Sequence, residues 1–200
     1  MVENTHQKMI YLASRSPRRA ELLQQIGVEY VVLPSDIDET PLLDEQSDAY
    51  VLRLAAEKAK ACYENLIAQA MSIFPVLAAD TTVSIDGKIL GKPQDDDDAF
   101  QMLSSMSGRW HEVHTGIAVA TGDGVKVAIS TTKVEMATLS DAMILAYIAT
   151  GEPRDKAGAY GIQGLAGALI KRIEGSYSGV MGLPIYETAE LLNQAGIHIL

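Results

Sequence analysis

Short apolar runs alternate with amphipathic stretches along the chain, and the two patterns predict different elements. Apolar or alternating runs, which are typical of strands, occur at 9–13, 28–33, 76–85, 113–120, 125–136 and 169–173. Apolar residues at helical spacing predict helices at 17–26, 47–70, 95–107 and 140–150, and a last helix between Pro184 and Gly196. Because strands and helices interleave, with hairpins in the middle, we expect an α/β fold in which helices flank a mixed central sheet.

Residues with special backbone preferences mark the ends of these elements. Ser16, Ser47 and Ser140 stand at the starts of predicted helices, where a serine oxygen can accept a hydrogen bond from a free N–H group. Asp86-Gly87 interrupts an alternating run and predicts a tight hairpin turn. Residues 121–124 (Thr-Gly-Asp-Gly) predict a second hairpin between two long strands.

Composition places the chain among ordinary globular proteins. Hydrophobic residues make up 48% and charged residues 21% of the 200 positions. Since no internal repeat and no linker divides the sequence, we expect residues 1–200 to form a single domain, with residues 1–8 as a flexible extension. No apolar run approaches the roughly 18 residues of a membrane helix. Residues 1–9 also lack the apolar stretch of a signal peptide, so we expect a cytoplasmic protein that does not bind membranes.

The chain is acidic, with 16 basic and 26 acidic residues and a formal net charge of −10. Binding to DNA or RNA depends on neutralising phosphates with lysine and arginine, so this charge disfavours a nucleic-acid partner. A small phosphorylated ligand stays compatible, because a local basic cluster or a bound divalent metal can reverse the field within one cleft. The single cysteine, Cys62, excludes an internal disulfide and a site made of several thiolates.

A cluster of serines and arginines at residues 14–19 (Ser-Arg-Ser-Pro-Arg-Arg) follows the first predicted strand. The helix that starts here offers free N–H groups and the positive end of its dipole, which suit an anion. A guanidinium can bind two phosphate oxygens at once, so Arg18 and Arg19 predict a phosphate site. The alternative is that these arginines are solvated surface residues.

Three further charged residues stand where a charge needs an explanation. Lys58 lies on the apolar stripe of the second predicted helix, where a lysine either snorkels to water or meets an anion in a cleft. Asp80 follows apolar residues 76–79, so we place it at the end of a buried strand, where ligand sites of α/β sheets gather. This carboxylate can bind Mg²⁺, act as a base, or simply cap a turn. Lys92 follows in the next hairpin arm and could reach the same cleft.

Other acidic residues and histidines are different kinds of candidates. The four aspartates at 95–98 resemble a metal site, but acids in the first turn of a helix complement its dipole, so we expect a structural role. Residues 36–39 contain two aspartates and Glu39 in a loop where no helix begins, so that explanation does not apply to them. His111 and His114 are three residues apart, which places them on opposite faces of a strand and argues against a shared metal.

Segment 158–167 contains four glycines in ten residues. Its spacing matches neither a Walker loop nor a dinucleotide-binding fingerprint. Glycines at this density imply sharp bends or a close approach of the backbone to a ligand. Gln163, among them, can donate and accept hydrogen bonds at once, which suits the edge of a base. A role in a tight turn is the alternative.

Taken together, these segments resemble the Maf family of nucleoside triphosphate pyrophosphatases. The likeness extends over nearly the whole chain, from residue 9 to residue 193. It comprises the ordered motifs L-A-S-R-S-P-R-R-A-E-L-L (12–23), D-E-T-P (38–41), L-A-A-E-K-A (54–59), A-A-D-T-T-V (78–83), L-G-K-P (90–93), S-G-R-W-H-E-V-H-T-G (107–116), D-K-A-G-A-Y-G-I-Q-G (155–164) and V-M-G-L-P (180–184). So many motifs in order make a chance match very improbable.

The resemblance implies an α/β fold with two lobes around a deep nucleotide-binding cleft. It also implies hydrolysis of a nucleoside triphosphate to the monophosphate and pyrophosphate with a divalent cation, Mg²⁺ or Mn²⁺, and a homodimer by analogy. The family's catalytic aspartate corresponds to Asp80, as base or as metal ligand, and an acidic cleft residue that could join it at the metal corresponds to Glu39. The residues that bind the phosphates correspond to Ser14, Arg18, Arg19, Lys58 and Lys92.

Three specificity positions distinguish branches of the family. The branch that resembles dTTP/UTP pyrophosphatases has an arginine, a threonine and a glutamine, matched here by Arg18, Thr81 and Gln163. The branch similar to 7-methyl-GTP pyrophosphatases has an aromatic residue, a glutamine and a glutamate instead, none of which this chain carries. We therefore expect hydrolysis of dTTP and UTP, which would limit incorporation of wrong nucleotides. A 7-methyl-GTP pyrophosphatase is the alternative within the family.

Two points stay open at the level of sequence. The family is also associated with inhibition of septum formation, so a nucleotide-binding regulator of cell division with little turnover is a second hypothesis. The presence of Asp80 favours the enzyme, because a binding module would need no carboxylate among four cations. Arg15 departs from the family, in which small residues are common between the two serines, and is either a further phosphate contact or plain surface.

Overall fold

The computed structural model describes residues 9–199, so the expected extension at residues 1–8 lies outside the described part. The strands are β1 (Met9–Leu12), β2 (Glu29–Val32), β3 (Val76–Ile85), β4 (Lys88–Leu90), β5 (Trp110–Thr121), β6 (Gly124–Met136) and β7 (Ile170–Glu174). The helices are α1 (Pro17–Gln25), α2 (Ser47–Ala68), α3 (Asp96–Met106), α4 (Asp141–Ile148), α5 (Tyr177–Met181) and α6 (Ile185–Gln194). The predicted α/β class is confirmed.

The seven strands of the described residues belong to one mixed sheet, in the order β2-β1-β3-β5-β6-β7 with β4 paired to β3. Strand β1 runs parallel to β2 and β3, and α1 and α2 make the connections between these strands. The remaining pairs are antiparallel, including the predicted hairpins β3–β4 and β5–β6. None of the helices between residues 9 and 199 combines the length and the apolar character of a membrane span.

Strand β1 is much shorter than its neighbour β3. The two pair only at Tyr11↔Val76 and Leu12↔Leu77, whereas β5 accompanies β3 as far as Ser84↔Glu112. On the β1 side of β3, β4 pairs only with residues 83–85. Residues 78–82 of β3 therefore have no strand beside them there, and the sheet is open between β1 and β4. This gap in the sheet positions the site described below.

Apolar side chains form three separate clusters around the sheet. Two of them lie against the half that contains β1: one packs with α1 and α6 and the other with α2. The third surrounds the far ends of β3, β5 and β6 and includes residues of α3 and α4. The chain thus has two lobes that share the β3–β5–β6 ladder, as the resemblance implied.

Most of the predicted helix starts are confirmed, with two corrections. Ser16 is the N-cap of α1, but its side chain accepts no capping hydrogen bond. The Ser140 side chain accepts a hydrogen bond from the backbone of Met143, and Asp95 accepts one from Asp98, so the aspartates at 95–98 are structural, as expected. Helix α2 differs: Gln46 is its N-cap and Ser47 is already the first helical residue, so the prediction that Ser47 caps this helix was wrong.

Candidate active site

A cleft of about 600 Å³ lies between the lobes, where β1 stops beside β3. Its volume falls within the range of small-molecule sites. Every site residue suggested by the sequence lines this one cleft: Ser14, Arg18, Arg19, Glu39, Lys58, Asp80, Thr81, Lys92 and Gln163. The geometry brings these side chains together from most of the length of the chain, and their catalytic and binding roles stay predictions.

The cleft has the opposite charge balance from the whole protein. Six lysine or arginine side chains line it, against three carboxylates, whereas the formal net charge of the chain is −10. Cations gathered in one concave site focus a positive field there, so an anion is attracted to the cleft although the rest of the surface repels it.

Lys58 connects two carboxylates on the floor of the cleft. Its ammonium donates a hydrogen bond to Asp80 Oδ1 at 2.7 Å and lies 2.7 Å from Glu39 Oε1. Helix α2 places Lys58 on the same buried stripe as Leu54 and Cys62, and this stripe faces β3 and β5. The lysine therefore does not snorkel to water, and it meets its partners inside the cleft.

Asp80 lies within a strand, which corrects the expectation of a strand end. It is the fifth residue of the ten-residue β3 and pairs with Gly116 of β5. It nevertheless faces the cleft because β1 stops at Leu12, three positions earlier on the neighbouring ladder. Burial raises the pKa of Asp80, although the charges of Lys58 and Arg19 act against this rise. The site thus contains a carboxylate with an increased affinity for a proton.

Arg19 is a half-buried connector between elements and not a solvated surface arginine. Its Nε donates to the carbonyl of Gly182 at 2.8 Å, its Nη1 to Ser14 Oγ at 3.1 Å and its Nη2 to Thr81 Oγ1 at 3.2 Å. Thr81 Oγ1 in turn lies 2.9 Å from Thr115 Oγ1 on β5. Burial lowers the pKa of the guanidinium, opposed by the Asp80 charge. These bonds fix α1 against β3 and keep the positive charge of the Arg19 guanidinium at the floor of the cleft.

The opposite wall contributes two charged residues to which the sequence assigned no role. Arg18 Nη1 lies 3.3 Å from Asp155 Oδ2, and Lys156 Nζ donates to Asp155 Oδ1 at 2.6 Å. Both Asp155 and Lys156 line the cleft. The only sequence signal for them was their place in the D-K-A-G motif of the family likeness, since isolated charges in a loop are usually solvated.

Tyr50 is a third cleft residue that sequence reasoning missed. Its hydroxyl donates a hydrogen bond to the backbone carbonyl of Glu39 at 2.9 Å. Burial and the nearby charges of Asp80 and Glu39 raise the pKa of Tyr50 to about 12, so the phenol stays neutral and can serve as a donor. On α2 it occupies a half-exposed position, and a tyrosine there carries no specific signal.

Arg15, Lys92 and Gln163 lie at the exposed part of the cleft. Arg15 Nη1 donates to Asp36 Oδ1 at 2.8 Å, and both side chains are largely solvent-exposed. Lys92 follows β4, and Gln163 lies in the glycine-rich segment on the lobe that carries Asp155. Exposed side chains at a rim can reorient toward a ligand, whereas Lys58 and Arg19 are already fixed.

The carboxylate oxygens in the cleft fit a divalent cation that a phosphorylated substrate would help to coordinate. Glu39 and Asp80 converge on one point, as their shared contact with Lys58 shows. Mg²⁺ is usually held by one or two carboxylates together with substrate phosphates and water. Within residues 9–199 no group of three or more His, Cys, Asp or Glu side chains could hold a metal. The described residues therefore suit a cation that arrives with a phosphorylated substrate.

Comparison with known proteins adds an independent finding. The family model described as Maf-like protein matches residues 9–195. The chain belongs to the Maf family. One relative, named dTTP/UTP pyrophosphatase, from Methylobacillus flagellatus, is 67% identical to this Maf-family chain over 190 residues, which cover 95% of this chain and 94% of the relative.

Further Maf-family relatives cover the chain equally well. A dTTP/UTP pyrophosphatase from Chromobacterium violaceum is 52% identical over 196 residues, covering 98% of this chain and 99% of its own. A nucleoside triphosphate pyrophosphatase from Haemophilus ducreyi is 48% identical over 193 residues, covering 96% and 98%. The family model, which matches residues 9–195, extends from β1 to α6 and so includes both lobes and every residue of the cleft.

Proposed function

We propose that this protein hydrolyses dTTP and UTP to the nucleoside monophosphate and pyrophosphate. The observation that carries the proposal is the buried carboxylate of Asp80 among cations in a nucleotide-sized cleft. The names of the relatives, up to 67% identical over nearly their whole length, support the same reaction. The pyrimidine substrate, the divalent cation and the individual roles of the cleft residues are parts of the same proposal.

The cations of the cleft would bind the triphosphate. Arg19 and Lys58 are already fixed by hydrogen bonds, so their charges are in place before substrate binds. Arg18, Lys92 and Lys156 lie farther along the same cleft and would contact the remaining phosphate oxygens. A polyphosphate would compete with Asp155 for Arg18, and with Asp80 and Glu39 for Lys58.

Asp80 would act as the general base. Its raised pKa, caused by burial, favours uptake of a proton from a water molecule. The water oxygen forms a bond to the α-phosphorus, the bond between this phosphorus and the bridging oxygen breaks, and pyrophosphate leaves with the electron pair. Before substrate binds, Lys58 donates to Asp80 at 2.7 Å and so orients the carboxylate for this step.

Glu39 and Asp80 are the carboxylates that would hold a divalent cation, Mg²⁺ or Mn²⁺. Such a cation, when bound, neutralises phosphate oxygens and stabilises the negative charge that develops on the leaving group. Lys58 lies 2.7 Å from both carboxylates, so it would hold them together until the cation and the triphosphate arrive.

Gln163 would recognise the base. Uracil and thymine present a carbonyl, an N–H and a second carbonyl along one edge, and a glutamine amide can donate to a carbonyl while it accepts from the N–H. The 7-methylguanine base is cationic and would favour a carboxylate at this position, which the chain lacks. Arg18 and Thr81 line the same cleft and support the choice of a pyrimidine.

Three expectations on the biological setting remain part of the proposal. The net charge of −10 supports a free nucleotide as substrate, with no DNA or RNA partner. A cytoplasmic location and a homodimer would be compatible with such an enzyme. A role in septum inhibition with little turnover is the competing hypothesis, and the buried Asp80–Lys58 pair supports turnover, since simple anion binding would be weakened by a carboxylate.

The substrate assignment can be tested by measuring kcat/KM on UTP, dTTP and 7-methyl-GTP for the unchanged protein and for Gln163→Ala. We expect UTP and dTTP to be hydrolysed well and 7-methyl-GTP poorly. Loss of a base-reading hydrogen bond should reduce this discrimination roughly 10- to 100-fold in Gln163→Ala. Gln101→Ala, an exposed position on α3, is the matched control. An unchanged protein that prefers 7-methyl-GTP would contradict the assignment.

A further inference from the structure

The glycine-rich segment that carries Gln163 has little regular structure of its own. Short 3₁₀ turns occupy Ala157–Ala159 and Leu165–Leu169, and residues 160–164 between them form neither helix nor strand. The Gln163 side chain is exposed, yet a residue that recognises a base must be held in one place. A backbone hydrogen bond from Gly164 N–H to the Gly161 carbonyl at 3.0 Å closes a turn around Gln163. Contacts from outside the segment are needed to fix this turn on the wall of the cleft.

We propose that Glu152 and Tyr147 clamp this segment and act as positioning residues for base discrimination. Glu152 begins a 3₁₀ turn (Glu152–Asp155), and Tyr147 lies in α4. The inference rests on the proposed function, because it assumes that Gln163 contacts the base. It adds two residues that do not themselves contact the base.

The clamp binds the backbone on both sides of Gln163. Glu152 Oε2 accepts a hydrogen bond from the backbone N–H of Leu165 at 2.9 Å, two residues after Gln163. The backbone N–H of Gly161, two residues before it, donates to the Tyr147 hydroxyl at 3.3 Å. The Tyr147 hydroxyl donates in turn to Glu152 Oε1 at 2.8 Å, which joins the two halves.

The protonation of Tyr147 suits this arrangement. Tyr147 is buried, and burial together with the adjacent Glu152 carboxylate raises the pKa of its phenol. The phenol therefore stays protonated at neutral pH and can accept from Gly161 while it donates to Glu152. A phenylalanine would fill the same space but provide neither hydrogen bond.

Two glycines of the segment make room for side chains packed against it: Gly164 for Glu152 of the clamp and Gly161 for the neighbouring Lys156. A Cβ added at Gly164 would overlap the Glu152 carboxylate, and one added at Gly161 would lie 2.7 Å from Cε of Lys156. Neither glycine has a positive φ angle, so their missing side chains serve packing and not backbone conformation. The Lys156 ammonium also donates to the Glu152 carbonyl at 2.6 Å, which ties the cleft wall to the same turn.

Arg19 and Lys58, two of the cations assigned to the phosphates, are held by other elements. Arg19 is fixed by α1 and β3, and Lys58 by α2 and β3. Lys156 bonds to the backbone carbonyl of Glu152, which a change of the Glu152 side chain leaves in place. Loss of the clamp should therefore let Gln163 move while binding of the phosphate chain persists. A positioning role therefore predicts a loss of discrimination between bases with unchanged affinity for a base-free polyphosphate. A general structural role predicts that both decrease.

The test measures the ratio of kcat/KM for UTP to that for 7-methyl-GTP in Tyr147→Phe and Glu152→Gln. A base-free probe, inorganic tripolyphosphate, is titrated as a competitive inhibitor of each variant. We expect the ratio to fall roughly 10-fold, toward that of Gln163→Ala, while the inhibition constant of tripolyphosphate stays unchanged. Tyr186→Phe and Glu190→Gln, exposed on α6, are matched controls that should change neither quantity.

A double-mutant cycle keeps the inference testable if one variant folds poorly. Gly164→Ala alone should lower the ratio because its methyl group displaces the Glu152 carboxylate. In a Glu152→Ala background the same glycine substitution should cost nothing further. If the decrease in the ratio for the double variant equals the product of the two single decreases, the two residues act independently and the clamp is wrong.

The two proposals fail in different ways. If Gln163→Ala lowers the ratio but Tyr147→Phe and Glu152→Gln do not, the clamp is wrong and base recognition by Gln163 stands. If Gln163→Ala leaves the ratio unchanged, Gln163 does not recognise the base, and the clamp that depends on it falls as well.

Discussion

Lys58 places a positive charge beside two of the three cleft carboxylates, since its ammonium lies 2.7 Å from both Glu39 and Asp80. A nearby positive charge favours the ionised form of a carboxyl group. In Lys58→Ala the pKa of Asp80 should rise further, since burial would act without this opposing charge. Asp80 must be ionised to accept a proton, so the acid limb of the pH profile should move to higher pH.

This prediction is checked by the pH dependence of kcat/KM on UTP for Lys58→Ala, together with its melting temperature. Lys60→Ala, whose side chain is exposed on the same helix, is the control and should keep the original profile. A Lys58→Ala protein with the original pH midpoint and normal turnover would show that Lys58 is only a packing residue of α2.

Single residues also mark the limit of what the sequence could predict. The apolar stripe of α2 correctly placed Lys58 against the interior, because helical spacing alone decides which face a residue occupies. It could not name the partner Asp80, 22 positions away, and still less the contact of Arg18 with Asp155, 137 positions away. The sequence indicates that a buried charged group needs a partner of opposite charge. Only the fold determines which residue that partner is.

At the scale of elements, α2 approaches the sheet closely at Gly116. A Cβ added there would lie 2.5 Å from the carbonyl oxygen of Val51, which is helix backbone and cannot yield without a shift of α2. Gly116 pairs with Asp80 on β3, so the same close approach brings α2 and Lys58 to the carboxylate. The glycine thus couples helix packing to the geometry of the cleft.

Gly116→Ala should therefore destabilise the protein and impair catalysis together. Overpacking of this kind typically costs about 1–3 kcal/mol, which for a chain of this size corresponds to a decrease in melting temperature of several degrees. Thermal unfolding and kcat/KM on UTP are the measurements. Gly122→Ala, in the β5–β6 turn with only an ordinary contact at 3.5 Å, is the control. Equal melting temperatures of the two variants would contradict this role of Gly116.

The bounds of elements with a strong periodic pattern were predicted within a few residues, whereas short elements without such a pattern were missed. Strand β3 matches its predicted range, whereas β5 begins at Trp110 and not at residue 113 because its first residues pair with β6 in the second lobe. Helix α5 and the 3₁₀ turns at 152–159 escaped prediction. They are short, and side-chain hydrogen bonds such as those of Glu152 hold them, which leaves no period in the sequence.

For the molecule as a whole, buried histidines make folding depend on pH. Burial lowers the pKa of His111 to about 4, whereas a histidine in an unfolded chain titrates near about 6.5. Between these values the unfolded chain binds a proton that the folded chain does not, so the free energy of unfolding falls as the pH falls. The buried His114, whose pKa burial also lowers, acts in the same direction.

The expected result is a loss of stability on the order of 1–3 kcal/mol on acidification from about pH 6.5 to about pH 4. His111→Gln should flatten this dependence even if its stability at neutral pH is lower, because the comparison concerns the slope. Urea unfolding at a series of pH values measures it, with the exposed His198→Gln as control. A slope that His111→Gln leaves unchanged would rule out His111 as its source.

The whole account depends on Asp80 as the group that turns a nucleotide-binding cleft into a catalyst. The most direct test is the rate of pyrophosphate release from UTP with Mg²⁺, for the unchanged protein, for Asp80→Asn and for the exposed control Asp123→Asn. The account predicts UMP and pyrophosphate as products, and a loss of about 100-fold or more in folded Asp80→Asn, as expected for removal of a general base. Near-normal pyrophosphate release by folded Asp80→Asn would contradict it.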